Sequence, residues 1–205
     1  MKPILFNTEM VKALLDGRKT VTRRPLKGDA REHIQIDVDN SVIGVYDMFE
    51  GTVRPVLDYA PYRTGDILYV RETYGTYSTF NGHSYAYKGD YIDFENSEKA
   101  KKLVKRWIPS IHMPKEAARI FLRVTGVRVE RLQDITWQGA AMEGCQGSTS
   151  DEPDPLFHIP TLRGEFQRIW DSTIKTDAHI YDWRANPWVW VIEFERISKE
   201  DAYNA

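Results

Sequence analysis

Short strand-like runs, separated by turn residues, are the feature of this sequence that most limits how it can fold. The clearest runs alternate apolar and polar side chains or are rich in β-branched and aromatic residues, at positions 67–73, 118–124, 127–132 and 187–197. Helical spacing of apolar side chains is found at residues 9–16 and 161–172, and in a short stretch around Ala140. There is no regular strand–helix–strand repeat. The pattern therefore predicts an α+β fold, a small mixed β-barrel with two or three peripheral helices, and not a doubly wound sheet.

Residue types that begin and end helices are found at the ends of the predicted helices. Thr8 is the expected N-cap of the first helix, and Gly17 is expected to end it in the left-handed conformation. Asp134 or Thr136 is expected to cap a short helix that carries Glu143. The last residues of the chain are expected to be frayed.

The chain shows no internal repeat and no linker, so its 205 residues are predicted to form one domain, 1–205. Three segments lack a strong pattern. Residues 26–60 are expected to be irregular or weakly stranded, and residues 74–106 to form a hairpin followed by a solvated helix or loop. Residues 145–160 are expected to form a flexible loop.

Composition excludes some classes of protein. The net charge of −2 argues against a long nucleic-acid track, which needs an excess of Lys and Arg, but it leaves room for a nucleoside pocket or a local basic patch. A single cysteine, Cys145, rules out an internal disulfide and fits a reducing compartment. No apolar stretch is long enough for a signal sequence or a membrane span. We therefore expect a cytoplasmic protein without a membrane partner.

The most specific motif directly follows the first predicted helix. Gly17, Lys19, Thr22 and Arg24 have the spacing GxKxxTxR, and this segment resembles the signature of ASCH domains, a PUA-like β-barrel family. Three more segments resemble family segments in the same order, at residues 64–68, 132–136 and 190–194. The chain is similar to the longer ASCH proteins of phages and prophages. This resemblance implies a PUA-like barrel with insertions near residues 26–60, 75–106 and 145–185.

The resemblance also implies a set of functional residues. Small bacterial ASCH enzymes remove the acetyl group from the exocyclic amine of N(4)-acetylcytidine, and the matching catalytic residues here are Lys19, Thr22 and Glu143. Other family members bind RNA, and at least one is a ribonuclease. Three activities therefore stay open: an amidohydrolase, an RNA-binding module and a ribonuclease that uses the same basic pocket. The near-neutral charge favours a small ligand, and the retained Lys, Thr and Glu favour the enzyme.

Amide hydrolysis by these residues requires a neutral lysine. A threonine hydroxyl holds its proton tightly, and a lysine ammonium is no base unless burial or neighbouring cations lower its pKa. The hypothesis is that neutral Lys19 deprotonates Thr22, which attacks the acyl carbon, while Glu143 binds or protonates the cytosine amine. Because side chains alternate along a strand, Lys19 and Thr22 can converge only if Lys19 lies in the turn before the strand.

Four further residues are candidates for substrate binding: Arg23, Arg24, Glu72 and Tyr74. The two arginines are suited to phosphate. Glu72 either points into the pocket or pairs with an arginine, and both alternatives are open. Tyr74 belongs to a tyrosine-rich segment that either stacks on a base or packs a hairpin against the barrel.

The five histidines are scattered without metal-ligand spacing, and the sequence has no Gly-rich phosphate loop. We therefore expect neither a metal nor a nucleotide cofactor.

Overall fold

A computed structural model describes residues 1–28, 31, 33–36, 42–80, 82–91, 98, 101–150, 159–174 and 176–205. Its strands are β1 Lys2–Leu5, β2 Val21–Pro25, β3 Ile34–Ile36, β4 Val42–Asp47, β5 Thr52–Arg54, β6 Ile67–Arg71, β7 Tyr74–Thr79, β8 Gly82–Tyr87, β9 Phe121–Arg131 and β10 Trp188–Ile197. Its α-helices are α1 Thr8–Leu15, α2 Trp137–Met142, α3 Leu162–Thr173, α4 Ala178–Tyr181 and α5 Lys199–Asn204.

The strands form three sheets, and the fold is of the mixed α+β class. The largest sheet has the strand order β1-β6-β9-β10-β2, with β1 parallel to β6 and the β6–β9 and β10–β2 pairs antiparallel. Strands β3, β4 and β5 form a small antiparallel sheet, and β7 and β8 form a hairpin. In the part of the chain that the structure describes, β1 and β2 are the two edges of the large sheet, which is open.

The chain divides into two compact units. The first comprises residues 1–19, 66–123 and 195–205, and the second residues 20–65 and 124–194. In the first unit, β1 pairs with β6, and β6 pairs with the start of β9. A core cluster gathers around Phe121, with Tyr74, Met113, Ala117, Ala118 and Ala202.

The second unit is built on the antiparallel pair of β2 and the first part of β10. Helices α2 and α3 cover an apolar cluster against these strands, because each helix presents its apolar side chains at helical spacing. The cluster contains Val21, Leu132, Ile135, Ala140, Cys145, Leu162, Phe166, Trp170, Val189 and Val191.

Several predicted elements are present with small shifts. The first helix, the helix at α3, the hairpin after residue 74 and the closing strand β10 are all found. Thr136 caps α2, with its hydroxyl accepting from the backbone N–H of Gly139 at 3.1 Å. The N-cap of α1 is Asn7 and not Thr8, because the Asn7 side chain accepts from the Met10 N–H at 2.8 Å.

Two expectations were wrong. The strands predicted on either side of Gly126 are one continuous strand, β9. The C-terminal residues are not frayed but form α5, which is capped by Ser198 and buries Ala202. Much of the expected loop at 145–160 and of the expected solvated segment after the hairpin lies outside the described residues. No helix among the described residues is both long and apolar enough to cross a membrane.

Candidate functional site

Five polar or charged residues are buried in the part of the chain that the structure describes, each at most 8% exposed. Burying such groups is unfavourable unless partners compensate them, so each one calls for a structural or functional reason. All five belong to the set predicted from the sequence: Lys19, Thr22, Arg23, Glu72 and Glu143.

Lys19 lies in the turn between α1 and β2. Gly17 ends the helix with φ +74, a left-handed conformation that glycine adopts without steric cost. The backbone N–H groups of Arg18 and Lys19 then both donate to the Ala13 carbonyl, at 2.9 and 3.0 Å. Lys19 is 3% exposed, and its Nζ is 5.4 Å from the centre of the Phe6 ring. Since β2 begins at Val21, the strand alternation does not govern where Lys19 points, as the sequence hypothesis requires.

Thr22 lies on β2, opposite Ile192 of β10, and is 1% exposed. Side chains alternate along a strand, so Thr22 and Arg24 share one face of β2 while Val21 and Arg23 share the other. β2 is an edge strand of the described sheet, which leaves one side of it accessible to other elements.

Arg23 connects two carboxylates within the second unit. Its Nη1 donates to Oε1 of Glu143 at 3.2 Å, and its Nε donates to Oε1 of Glu130 at 2.8 Å. Its guanidinium carbon lies 5.8 Å from the centre of the Phe166 ring. Arg128 pairs with Glu130 at 3.3 Å and also with Glu193, so the network continues as alternating charges. Buried charges are tolerated when each meets an opposite charge, as Arg23 does here.

Glu143 is held beside β2 by the end of helix α2. It is the C-cap residue of that helix, one position beyond the predicted helical location, and Gly144 follows it with φ +93. The N–H of Thr20 donates to the Met142 carbonyl at 2.8 Å, which fixes this helix end against the start of β2. Glu143 therefore lies where Arg23 reaches it from one face of the strand.

Arg24 interacts electrostatically with the same carboxylate. Arg24 is half-buried, and the loss of solvent around its guanidinium lowers the pKa of that group, while the negative charge of Glu143 and the neighbouring Tyr62 oppose this shift. An arginine stays protonated under all ordinary conditions. Two guanidinium groups on different faces of β2 thus act on one buried carboxylate.

Glu72 belongs to a separate cluster in the first unit. Arg119 binds it with two parallel hydrogen bonds, Nε to Oε1 at 2.8 Å and Nη2 to Oε2 at 3.0 Å, and also pairs with Asp90 at 2.8 Å. The Arg119 guanidinium carbon lies 4.0 Å from the centre of the Tyr87 ring. Of the two alternatives left open for Glu72, the structure shows the pairing with an arginine.

Burial and the neighbouring charges shift the pKa values of Glu72 and Arg119. Burial raises the pKa of Glu72 and outweighs the opposing hydrogen bonds and charge of Arg119. Burial acts to lower the pKa of Arg119, but Glu72 and Asp90 outweigh it and the pKa is raised.

Tyr74 packs within the first unit. Its ring meets Tyr85 edge to face at 5.9 Å, and its hydroxyl donates to the His112 carbonyl at 3.2 Å. It is 7% exposed and belongs to the core cluster around Phe121, so this tyrosine packs the hairpin as one of the two alternatives predicted.

Sequence reasoning did not identify Arg119 and Glu130 as partners of the predicted residues. Both are single charged residues in or beside strand-like segments, and no local spacing connects them with Glu72 or Arg23. No group of three or more His, Cys, Asp or Glu side chains within the described ranges is arranged to hold a metal ion. Comparisons with protein-family models, with curated proteins and with solved structures found no match.

Proposed function

We propose that this protein is a cytoplasmic amidohydrolase that removes an acyl group from the exocyclic amine of a cytosine nucleoside such as N(4)-acetylcytidine. In this proposal its α+β core corresponds to the PUA-like barrel of the ASCH domains that residues 17–24 resemble. Lys19, Thr22 and Glu143 are the catalytic residues.

The observation that supports this most is the burial of the signature residues. A threonine in an ordinary edge strand or a lysine behind a helix end is usually solvated, and a glutamate at a helix C-terminus is disfavoured by the helix dipole. Here Lys19 is 3%, Thr22 is 1% and Glu143 is 8% exposed. The proposal requires Lys19 in its neutral form, which is the form that can accept a proton.

The proposed reaction is an acyl transfer in two halves. The Thr22 hydroxyl oxygen forms a bond to the acyl carbon while its proton passes to the neutral Lys19 amine. The carbon–nitrogen bond then breaks, and the proton on Lys19 returns to the leaving cytosine amine. Water hydrolyses the resulting ester of Thr22, which releases the carboxylic acid and restores the hydroxyl.

Glu143 binds the cytosine in this scheme. As a carboxylate it accepts a hydrogen bond from an N–H of the base, and the Arg23 Nη1 contact at 3.2 Å orients it. Arg24, with its guanidinium near the same carboxylate, adds positive charge to this side of the site. The arginines thus position the binding group and do not enter the bond changes.

The test is hydrolysis of N(4)-acetylcytidine by the purified protein, followed by chromatographic separation of cytidine. Wild type should turn the substrate over, and Lys19→Ala, Thr22→Ala and Glu143→Ala should each lower kcat/KM by at least about a hundredfold, because they remove the proton acceptor, the nucleophile and the charged partner of the base. A matched control is Lys12→Ala, which removes an amine from the last turn of α1. Failure of folded wild type to act, together with cleavage of short RNAs that needs the same three residues, would replace this proposal with the ribonuclease.

A further inference from the structure

A basic groove lies in the first unit, and none of the residues that line it was assigned a catalytic role above. It has a volume of about 550 Å³ and is bounded on one side by the β7–β8 hairpin and on the other by residues 103–112. The hairpin contributes Thr76, Tyr77, Ser78 and His83, and the facing segment contributes Lys105 and Arg106.

Gly75 sets the distance between the two walls of the groove. A Cβ at this position would overlap Cγ1 of Val104 and lie 3.3 Å from the Arg106 carbonyl oxygen, so the facing segment can pack here only because residue 75 has no side chain. Backbone hydrogen bonds between Tyr74 and Ile108, at 3.1 and 2.7 Å, fasten the same segment to β7. The groove is therefore a built feature of the fold.

The far end of the segment is fastened as well. The Tyr74 hydroxyl donates to the His112 carbonyl, and Nε of Arg71 donates to the Met113 carbonyl at 2.9 Å. His112 itself is one of the residues that line the groove.

The charge of the groove is one-sided. Lys105 and Arg106 line it, and no Asp or Glu of the described ranges does. Arg23, Arg54, Arg119, Arg123, Arg128 and Arg168 each bind a carboxylate, whereas no carboxylate among the described residues pairs with Lys105 or Arg106. Two cations that are adjacent in sequence, line one groove and lack a carboxylate partner in this part of the chain are suited to binding an anion.

The other lining groups narrow the chemistry of that anion. Thr76, Ser78 and Tyr77 add hydroxyl donors beside the cations, and the Tyr77 ring is partly exposed. Phosphate oxygens accept from such donors, and a base can stack on a tyrosine ring. A volume near 550 Å³ lies within the range of pockets that hold nucleotide-sized ligands.

We propose that this groove binds the phosphate backbone of a single-stranded nucleic acid, with Lys105 and Arg106 on the phosphates and Tyr77 against a base. A single strand fits better than a duplex, because the protein carries a net charge of −2 and the basic lining is confined to one groove. The proposal does not rest on the deacylase reaction, since none of the lining residues takes part in it.

The test measures fluorescence anisotropy of a short, labelled single-stranded RNA that contains no acetylcytidine, at several salt concentrations. The double variant Lys105→Ala/Arg106→Ala should weaken binding at least about tenfold at low salt and reduce the slope of log K against log salt by about 1.4, or about 0.7 for each lost phosphate contact. Lys101→Ala/Lys102→Ala is the matched control, because it removes two charges from the same segment outside the groove. The control should lose much less affinity.

A second variant tests the geometry without changing the charge. The Cβ added by Gly75→Ala must displace Val104 and with it the segment that contains Arg106. The variant should therefore also bind the RNA more weakly. A measured unfolding midpoint shows that the variant is folded. Single-stranded DNA of the same sequence tests which part of the nucleic acid the groove recognises. Equal binding of RNA and DNA would mean that the groove recognises only groups that both share, such as the phosphodiester backbone. Tighter binding of RNA would mean that the groove also contacts the 2′-hydroxyl.

Three results would overturn the proposal. The first is unchanged binding by the Lys105→Ala/Arg106→Ala variant. The second is an equal loss in the Lys101→Ala/Lys102→Ala control. The third is equally tight binding of a phosphate-free acidic peptide with the charge of the RNA, which would make the groove a peptide site.

Discussion

Arg23 is the residue on which the charges of the second unit depend. Its side chain is 3% exposed and contacts the side chains of Glu143 and Glu130, which are 5% and 18% exposed. One guanidinium can serve two carboxylates because its donors point in fixed, separate directions. Without it, two carboxylates would be left in a poorly solvated region with like charges.

We predict that Arg23→Gln lowers the free energy of unfolding by about 3–5 kcal/mol, the usual cost of removing one partner of a buried ion pair. Urea unfolding followed by circular dichroism measures it. Arg128→Gln is the control, because that side chain is 50% exposed and exposed pairs contribute at most about 1 kcal/mol. Equal losses of unfolding free energy in the two variants would show that the burial of Arg23 does not contribute to stability.

Glu72 provides a prediction about pH. Burial raises the pKa of Glu72 in the folded protein, so the contribution of Glu72 to folding stability falls as pH rises from the ordinary glutamate pKa of about 4.3 to the raised value. A glutamine in its place would not titrate and could still accept a hydrogen bond from Arg119. Glu72→Gln should therefore gain stability relative to wild type as pH rises through this window, and the gain should be constant above it.

Unfolding free energies at a series of pH values check this, with Glu116→Gln as the control at an exposed glutamate of the same unit. A gain that shrinks as pH rises would mean that the Arg119 pair lowers the pKa of Glu72 and dominates over burial.

At the scale of elements, the turn from α1 into β2 carries Lys19 to its buried position. Gly17 has φ +74, and a Cβ there would meet no atom within 4 Å. A larger residue at this position would therefore destabilise the protein only through strain in its left-handed backbone conformation.

We predict that Gly17→Ala lowers the free energy of unfolding by about 1–2 kcal/mol, while Gly17→Asn costs less because asparagine tolerates the left-handed conformation. Thermal or urea unfolding of both variants tests this. Equal stability of Gly17→Ala and wild type would show that the turn can adopt another conformation.

Elements with a periodic pattern and a clear end signal could be predicted from the sequence. Helix α1 with Gly17, helix α2 with Thr136 and strand β10 are of this kind. Two strands were predicted in place of β9 because glycine often marks a turn and Gly126 lies between the two predicted strands. Here its missing side chain makes room for Glu193, whose Oε2 would lie 3.0 Å from a Cβ at residue 126. The terminal helix was missed because it depends on the burial of Ala202, a tertiary effect.

The candidate site could be predicted from the sequence only through the resemblance of residues 17–24 to the ASCH signature. Single Lys, Thr and Glu residues carry no pattern that predicts burial. Arg119 and Glu130 could not be found in this way, because they meet Glu72 and Arg23 across 47 and 107 residues of sequence. Contacts of this kind are set by strand pairing and not by local spacing.

At the scale of the whole molecule, the net charge of −2 is the sum of many positive and negative groups that are unevenly distributed. Most arginines with a described contact are neutralised by a nearby carboxylate, as Arg23 and Arg119 are. Lys105 and Arg106 have no carboxylate partner among the described residues, and the groove that they line is the nucleic-acid site proposed above. Net charge therefore describes the average of the surface and not the chemistry of either proposed site.

The central claim, that the buried Thr22 hydroxyl attacks an acylated cytosine amine, is tested most directly by deacetylation of N(4)-acetylcytidine with wild type, Thr22→Ser and Thr22→Val. Valine has nearly the shape of threonine without the hydroxyl, and serine keeps the hydroxyl. We predict that wild type and Thr22→Ser release cytidine and that folded Thr22→Val does not. Turnover by Thr22→Val at the wild-type rate, or none by folded wild type, would contradict it.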